Sequence, residues 1–215
     1  MAAEPVPRDG RRAAGEATRA RLVRTAGRLF ARKGIDAVPV REITDAAGVN
    51  TAAIHYHFGS KQGLVKAIID DWAAELAGRR ARWLDQLEAG DGFELRDVAA
   101  ALVYPIAELA ADRRRGGHDY VAFLAAVLSD PAYMPLVIDA YTDQTHRELA
   151  ALERVTPQLT DTERMIRFSL AKDLINRTLG NANGPVHRWL DRYAPGADLP
   201  AQLVEFVTGA FAGAR

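Results

Sequence analysis

Residues 40–64, VREITDAAGVNTAAIHYHFGSKQGL, read as a short helix, a glycine turn, a second short helix and the start of a third. Ile43 and Ala47 share one face of the first helix at i, i+4 spacing, and Gly48 supplies the residue that a tight helix exit needs. Asn50 is a good N-cap for the second helix. Val49 precedes it and Ile54 stands at the fourth helical position, the arrangement of a hydrophobic staple. On the 3.6-residue period Ile54 and Phe58 point inward, Ala52 and Tyr56 lie opposite, and Ala53 and His55 flank them. The outward face is short, polar-aromatic and largely uncharged. Two short helices around a glycine turn make the helix-turn-helix plan, whose second helix enters the major groove of DNA.

Five short blocks keep register around this unit: FARKG at 30–34, REI at 41–43, AAGVN at 46–50, YHF at 56–58 and SK at 60–61. Together they resemble the tetracycline-repressor (TetR) family over roughly Arg19 to Leu64. The resemblance implies an all-α protein with a three-helix DNA-binding domain and a C-terminal helical bundle that varies with the ligand. It implies a repressor released from double-stranded operator DNA when a small molecule binds. It further implies a homodimer whose last long helices pair as a four-helix bundle, and control by pendulum-like tilting of the helix that Lys61 opens. By the same resemblance His55, Tyr56, His57 and Lys61 stand where the family contacts phosphates. Pro39, Thr44 and His55 depart from the commonest family pattern, which has a capping Ser or Thr, a small apolar residue and a Tyr.

The residue chemistry of the motif fits DNA. Asn50, Thr51, Ala52, Ala53 and Tyr56 fall on the groove side, where Thr51 can bond base edges or phosphate and the alanines can meet thymine methyls. Arg41, on the first helix of the motif, joins this set. Lys61 begins a helix, where backbone amides favour an anion. The chain of 215 residues has no net charge, but residues 1–61 carry 11 Lys/Arg against 6 Asp/Glu and the remainder 17 against 22. A basic end holding the helix-turn-helix suits a phosphate-binding module.

Composition excludes several classes. Without cysteine there is neither a disulfide nor a thiolate metal site. No apolar run approaches the ~20 residues of a membrane span and the N-terminus lacks a signal-peptide core, so a cytoplasmic protein with no membrane partner is expected. The five histidines form no recognised metal motif, and P-loop, GxGxxG and GxSxG are missing, so neither enzyme activity nor a cofactor or metal is expected.

Along the chain, residues 1–15 read as a disordered arm and 16–60 as the DNA-binding domain, with a helix over Thr18–Lys33. Residues 61–215 read as a ligand-binding and dimerisation domain. A long helix runs from Lys61 towards Leu87 with Ser60 as N-cap, and Gly63 near its start is either a hinge or a tolerated surface residue. Further helices are predicted over Phe93–Asp112 (interrupted by Pro105), His118–Ser129, Pro131–Val155, Thr160–Asn181 behind a capping box, Val186–Tyr193 and Pro200–Ala212. That makes nine or ten in all.

The helices at 160–181 and 200–212 are the predicted dimer interface, with Ile166, Leu170 and Leu174 on one and Leu203, Val207 and Phe211 on the other. Candidate ligand-lining residues are Trp83, Tyr104, Tyr120, Phe123, Tyr141, Phe168 and Asn176, although aromatics at helical spacing are more often plain core. No charged cluster stands out as a ligand anchor, so the expected effector is apolar or aromatic. Two other classes remain open: an architectural DNA-binding protein without a ligand, and an enzyme domain fused to a helix-turn-helix. About 150 residues beyond a 45-residue reader is more than dimerisation requires, which favours a sensor.

Overall fold

The computed structural model describes residues 8–182 and 184–213, with side chains from Arg12 onward. Among these residues there are ten α-helices and no strand. In chain order they are α1 (Arg8–Lys33), α2 (Val40–Ala47), α3 (Ala52–Phe58), α4 (Lys61–Glu88) and α5 (Leu95–Ala111). Then follow α6 (Gly117–Val127), α7 (Met134–Val155), α8 (Asp161–Gly180), α9 (Pro185–Tyr193) and α10 (Leu199–Ala212). Backbone contacts divide the chain into a unit of residues 1–68 and a unit of residues 69–215, so the division falls inside α4 rather than at its start.

In the first unit α1 begins ten residues before Thr18. Residues 8–15 of the expected disordered arm are therefore helical, and residues 1–7 of it lie outside the described residues. Lengthening an existing helix needs no second nucleus, and Ala13, Ala14 and Ala17 are the strongest helix formers, which carries α1 through Gly10 and Gly15. Leu22, Val23, Ala26 and Phe30 of α1 are buried, as are Ile43 and Ala47 of α2 and Ile54 of α3. A salt bridge of 2.7 Å between Lys33 and Glu42 joins the end of α1 to the start of α2.

Gly48 ends α2 in the left-handed conformation, φ 61° and ψ 44°. Its N–H donates to the Asp45 carbonyl and the Val49 N–H to that of Thr44, the two bonds of a Schellman turn. Asn50 then caps α3, its Oδ1 accepting from the Ala52 N–H at 2.9 Å. Ser60 caps α4, its hydroxyl accepting from the Gly63 N–H at 3.0 Å.

The second unit is built around α5, which is buried along its length through Val98, Leu102, Val103, Ile106 and Leu109 and packs against α6, α7, α8 and α10. A helix that is apolar on nearly every side belongs at the centre. Helix α8 packs on α6 closely enough that a Cβ on Gly180 would lie 2.7 Å from the Val121 carbonyl oxygen. The capping box that opens α8 is formed in both directions between Thr160 and Glu163.

Three expectations change. Helix α7 starts at Met134, not Pro131, because the Asp130 side chain and carbonyl accept from Ala132 and Tyr133 and close a separate turn first. Leu203, Val207 and Phe211 of α10, expected at a dimer interface, are buried within the unit. The outward face of α10 carries Gln202, Phe206, Gly209 and Ala210 instead. On α8 the stripe keeps Ile166 and Leu170 exposed, while Leu174 is half-buried.

Gly63 also reads differently. A Cβ there would fall far inside van der Waals contact of the Phe58 carbonyl oxygen, so the glycine permits the tight α3–α4 turn rather than marking a weak point. Gly63→Ala should therefore destabilise the first unit by about 1–3 kcal/mol through overpacking. Urea denaturation checks this, and an unchanged midpoint would restore the hinge reading.

Candidate DNA-binding face and effector cavity

In the first unit α3 turns one face outward. Ile54 is buried, Tyr56 is 84 % exposed, and Ala52 and His55 are exposed, with Ala53 and His57 half-buried beside them. Asn50 and Thr51 lie exposed just ahead of the helix. Tyr56 meets His57 edge-on at 4.9 Å between ring centroids, and His55 Nδ1 lies 3.1 Å from the Gly59 carbonyl oxygen at the helix end. No carboxylate occurs in Asn50–Lys61 to repel a phosphate backbone.

Thr44, one of the departures from the family pattern, is fully buried, and its hydroxyl donates to the Arg41 carbonyl at 3.0 Å. The hydroxyl is thus satisfied by its own helix and carries no orphaned-donor penalty. Arg41 is exposed, with Asp45 3.7 Å away in a pair that water screens. Lys61 is half-buried, its ammonium 5.7 Å from the centroid of the Phe30 ring, and it stands at the start of α4. Phe58, expected inward, is only half-buried, with the Arg19 guanidinium 5.7 Å from its ring centroid. All nine expected DNA-binding residues thus belong to the segment from α2 to the first residue of α4.

The second unit holds a cavity of about 640 Å³, within the range of small-molecule sites. Parts of α4, α6, α7 and α8 form its wall, and Leu124, Leu128, Met134, Val137 and Ile138 make much of the lining apolar. Of the seven expected residues, Tyr141, Phe168 and Asn176 line it. Tyr120 and Phe123 are buried without lining it, and the Tyr120 hydroxyl is hydrogen-bonded to that of Tyr141. Burial pushes the Tyr120 phenol well above its ordinary value, so the pair stays neutral. Trp83 and Tyr104 are elsewhere, stacked on each other at 5.1 Å, with the Trp83 indole N–H donating to Glu108. Pro105, expected to interrupt its helix, is buried inside α5 and does not line the cavity.

Sequence reasoning missed the charged floor. Arg80 of α4 and Lys172 of α8 line the cavity, and both reach Glu148 of α7, which has no exposed surface. Lys172 Nζ donates to both Glu148 oxygens, at 3.3 and 3.1 Å. Arg80 Nε lies 3.3 Å from Glu148 Oε1, but the angle makes no hydrogen bond, and among the described residues this buried N–H has no acceptor. Each cation also lies over a ring, Arg80 over Tyr141 at 5.4 Å and Lys172 over Phe168 at 5.5 Å. Desolvation first, and then the Arg80 charge, lower the Lys172 pKa to about 8 against the pull of Glu148. The three residues are 68 and 24 positions apart in sequence, so no local spacing announces them.

The chain belongs to the TetR family. The family model described as bacterial regulatory proteins of the tetR family matches residues 22–68, and the one described as a tetracyclin repressor-like C-terminal domain matches residues 100–210. Among curated relatives, the HTH-type transcriptional repressor KstR2 of Mycolicibacterium smegmatis is 36 % identical over 64 residues, which are 30 % of this chain and 31 % of that protein. The HTH-type transcriptional regulator TtgR of Pseudomonas putida is 39 % identical over 53 residues, a quarter of either chain. The chain therefore matches about three tenths or less of these relatives' length. A TetR-family transcriptional regulator from Bordetella parapertussis has the same fold at 18 % identity, with a TM-score of 0.61 over 90 % of this chain and 93 % of that one. No described helix is long and apolar enough to cross a membrane.

Lys172 gives a pH test of the cluster. Its folded pKa, about 8, lies below the ordinary lysine value of 10.5, so below pH 8 the buried charge weighs against folding. From pH 8 to 10.5 the unfolded chain holds a proton that the folded one has released, and this residue's contribution to stability rises. Lys172→Met, which leaves Arg80 paired with Glu148, should gain stability relative to the parent at pH 7. That advantage should shrink, by on the order of 3 kcal/mol in full, as pH rises through this window. Urea titrations of both proteins at pH 7 and 9.5 measure the difference, and a pH-independent difference would contradict it.

Proposed function

We infer that this protein is a dimeric repressor whose α3 helices read an operator and whose second unit releases it on binding a small molecule. The observation that carries the reading is a carboxylate-free reader helix in the same chain as a cavity of about 640 Å³ floored by buried polar groups. An architectural protein has no use for such a cavity, since unpaired polar groups inside one weigh against stability. Family membership and the word repressor in the name of KstR2 support the same reading.

On this reading Asn50, Thr51, Ala52, Ala53 and Tyr56 face base edges, while Arg41, His55, His57 and Lys61 position the phosphate backbone. Ala52→Glu sets a carboxylate against the duplex and should nearly abolish binding to the DNA upstream of the protein's own coding sequence. Lys61→Ala should weaken binding evenly across sequences and lower the log–log salt slope by about 1. Gel-shift titrations across a salt series check both, and wild-type affinity in the glutamate variant would mean that α3 presents another face.

One short helix reads too few bases to specify a site, and a two-fold dimer supplies two half-sites about 34–36 Å apart or a multiple of that. The exposed Ile166 and Leu170 of α8, together with Phe206 of α10, are the apolar surface that pairing would cover. Arg167 of α8 donates to the Ala210 carbonyl of α10 at 2.7 Å, which holds the two helices in one surface. Leu170→Glu should give a folded monomer with little operator affinity. Sedimentation at micromolar concentration is the check, and a dimeric variant would move the interface elsewhere.

A further inference from the structure

The cavity's polar floor has more positive charge than its own residues neutralise. Arg80 and Lys172 face one carboxylate, Glu148, in surroundings where all three are mostly or wholly buried. Asp173 at the rim is held by Arg177 through hydrogen bonds of 2.7 and 2.8 Å, and His146 is exposed, so neither closes the balance. Among the described residues, Arg80 Nε is a buried donor without an acceptor. Asn176, 3 % exposed, spends its amide nitrogen on the Lys172 carbonyl and leaves Oδ1 without a donor among the described residues. A site with one surplus cation, an idle donor and an apolar wall is complementary to one kind of molecule.

Resting on the reading of this unit as the ligand-binding one, we propose that the cavity takes an amphiphilic carboxylic acid. Its carboxylate sits between Arg80 and Lys172, and its apolar body lies against Leu124, Val137, Ile138 and Phe168. Asn176 Oδ1, an acceptor, takes a donor from the ligand's body rather than its anionic end. The alternatives fit worse. A cationic amphiphile adds a third positive charge to the floor, a neutral one leaves the surplus as it was, and a phosphate dianion exceeds it by one. The lowered Lys172 pKa points the same way, because burial first and then the Arg80 charge disfavour that ammonium, and an added anion offsets both.

Calorimetry at pH 7 with decanoate, decan-1-ol, decylamine and decyl phosphate tests this without any DNA. The full chain should bind decanoate at least about tenfold more tightly than decan-1-ol, with decylamine weakest and decyl phosphate no tighter than decanoate. Lys172→Met and Arg80→Met should each bring decanoate to within about threefold of decan-1-ol, since either removes the surplus charge, while Lys172→Arg keeps the preference. If Arg80→Met fails to fold, the parent and the two Lys172 variants still decide the matter. Equal binding of decanoate and decan-1-ol by the parent, binding of neither, a preference that survives Lys172→Met, or tighter binding of decyl phosphate would overturn the assignment. Release of operator DNA by decan-1-ol alone would in that event leave ligand-controlled repression standing. Tight decanoate binding that releases no DNA would uphold the site and strike only at the regulatory reading.

Discussion

Glu148 organises the second unit because it has no exposed surface. An isolated carboxylate in that position costs several kcal/mol, so it must be met by cations from neighbouring helices. Arg80 comes from α4 and Lys172 from α8, and Glu148 itself stands on α7. Three helices are thereby tied at one point, beside the cavity that Arg80 and Lys172 line. Aromatic faces at Tyr141 and Phe168 back the cations, and the Tyr141 hydroxyl is fixed in turn by Tyr120, which stacks on Trp72 at 5.1 Å. Replacing such a cluster by apolar residues often leaves a protein as stable or more so, which makes the charged version more telling about function than about folding.

The first unit depends on backbone rather than charge. The left-handed Gly48, the Asn50 cap and the close approach of Gly63 to the Phe58 carbonyl fix the entry and exit of a seven-residue helix. A helix that short is unstable alone, so its orientation has to come from its ends and from Ile54 in the core. Rigid ends suit the proposed role of α3 as a reader, since side chains aimed at base edges would lose their selectivity if the helix could roll.

These two kinds of constraint differ in how far they could be read from the sequence. Turn and cap chemistry is local. Gly48, Asn50, Ser60 and the Thr160–Glu163 box are all visible within a few residues, and the phase of α3 follows from Ile54 and Tyr56. Local reading failed where a choice depends on what packs opposite. The stripe on α10 was real, but Leu203, Val207 and Phe211 turn into the unit's own core and leave Phe206 outside. Periodicity finds a buried face without saying which neighbour buries it. The same limit hid the cavity floor, because Arg80, Glu148 and Lys172 look like ordinary helix-surface charges until three helices bring them together. Trp83 and Tyr104 misled in the opposite sense, as aromatics that pack on each other rather than around a ligand.

The placement of the two cations bears on how a ligand could act. A ligand shifts a conformational equilibrium only as far as it prefers one state over the other. A preference of about 100-fold, or 2.7 kcal/mol, is enough to empty an operator held near its midpoint. An apolar ligand would need roughly 110 Å² more buried area in one state than in the other to supply that much. A carboxylate gripped from two helices needs far less change, because a charge-assisted hydrogen bond is worth about 1.5–3 kcal/mol and weakens steeply with distance and angle. Arg80 and Lys172 lie on α4 and α8, so on the proposed reading a small shift between these helices in the second unit would make or break the grip. Helix α4 is also the element whose first residue is Lys61. On the proposed reading, an anion held at Arg80 would act on the same helix that opens next to α3, a use for the buried charges separate from any contribution to stability.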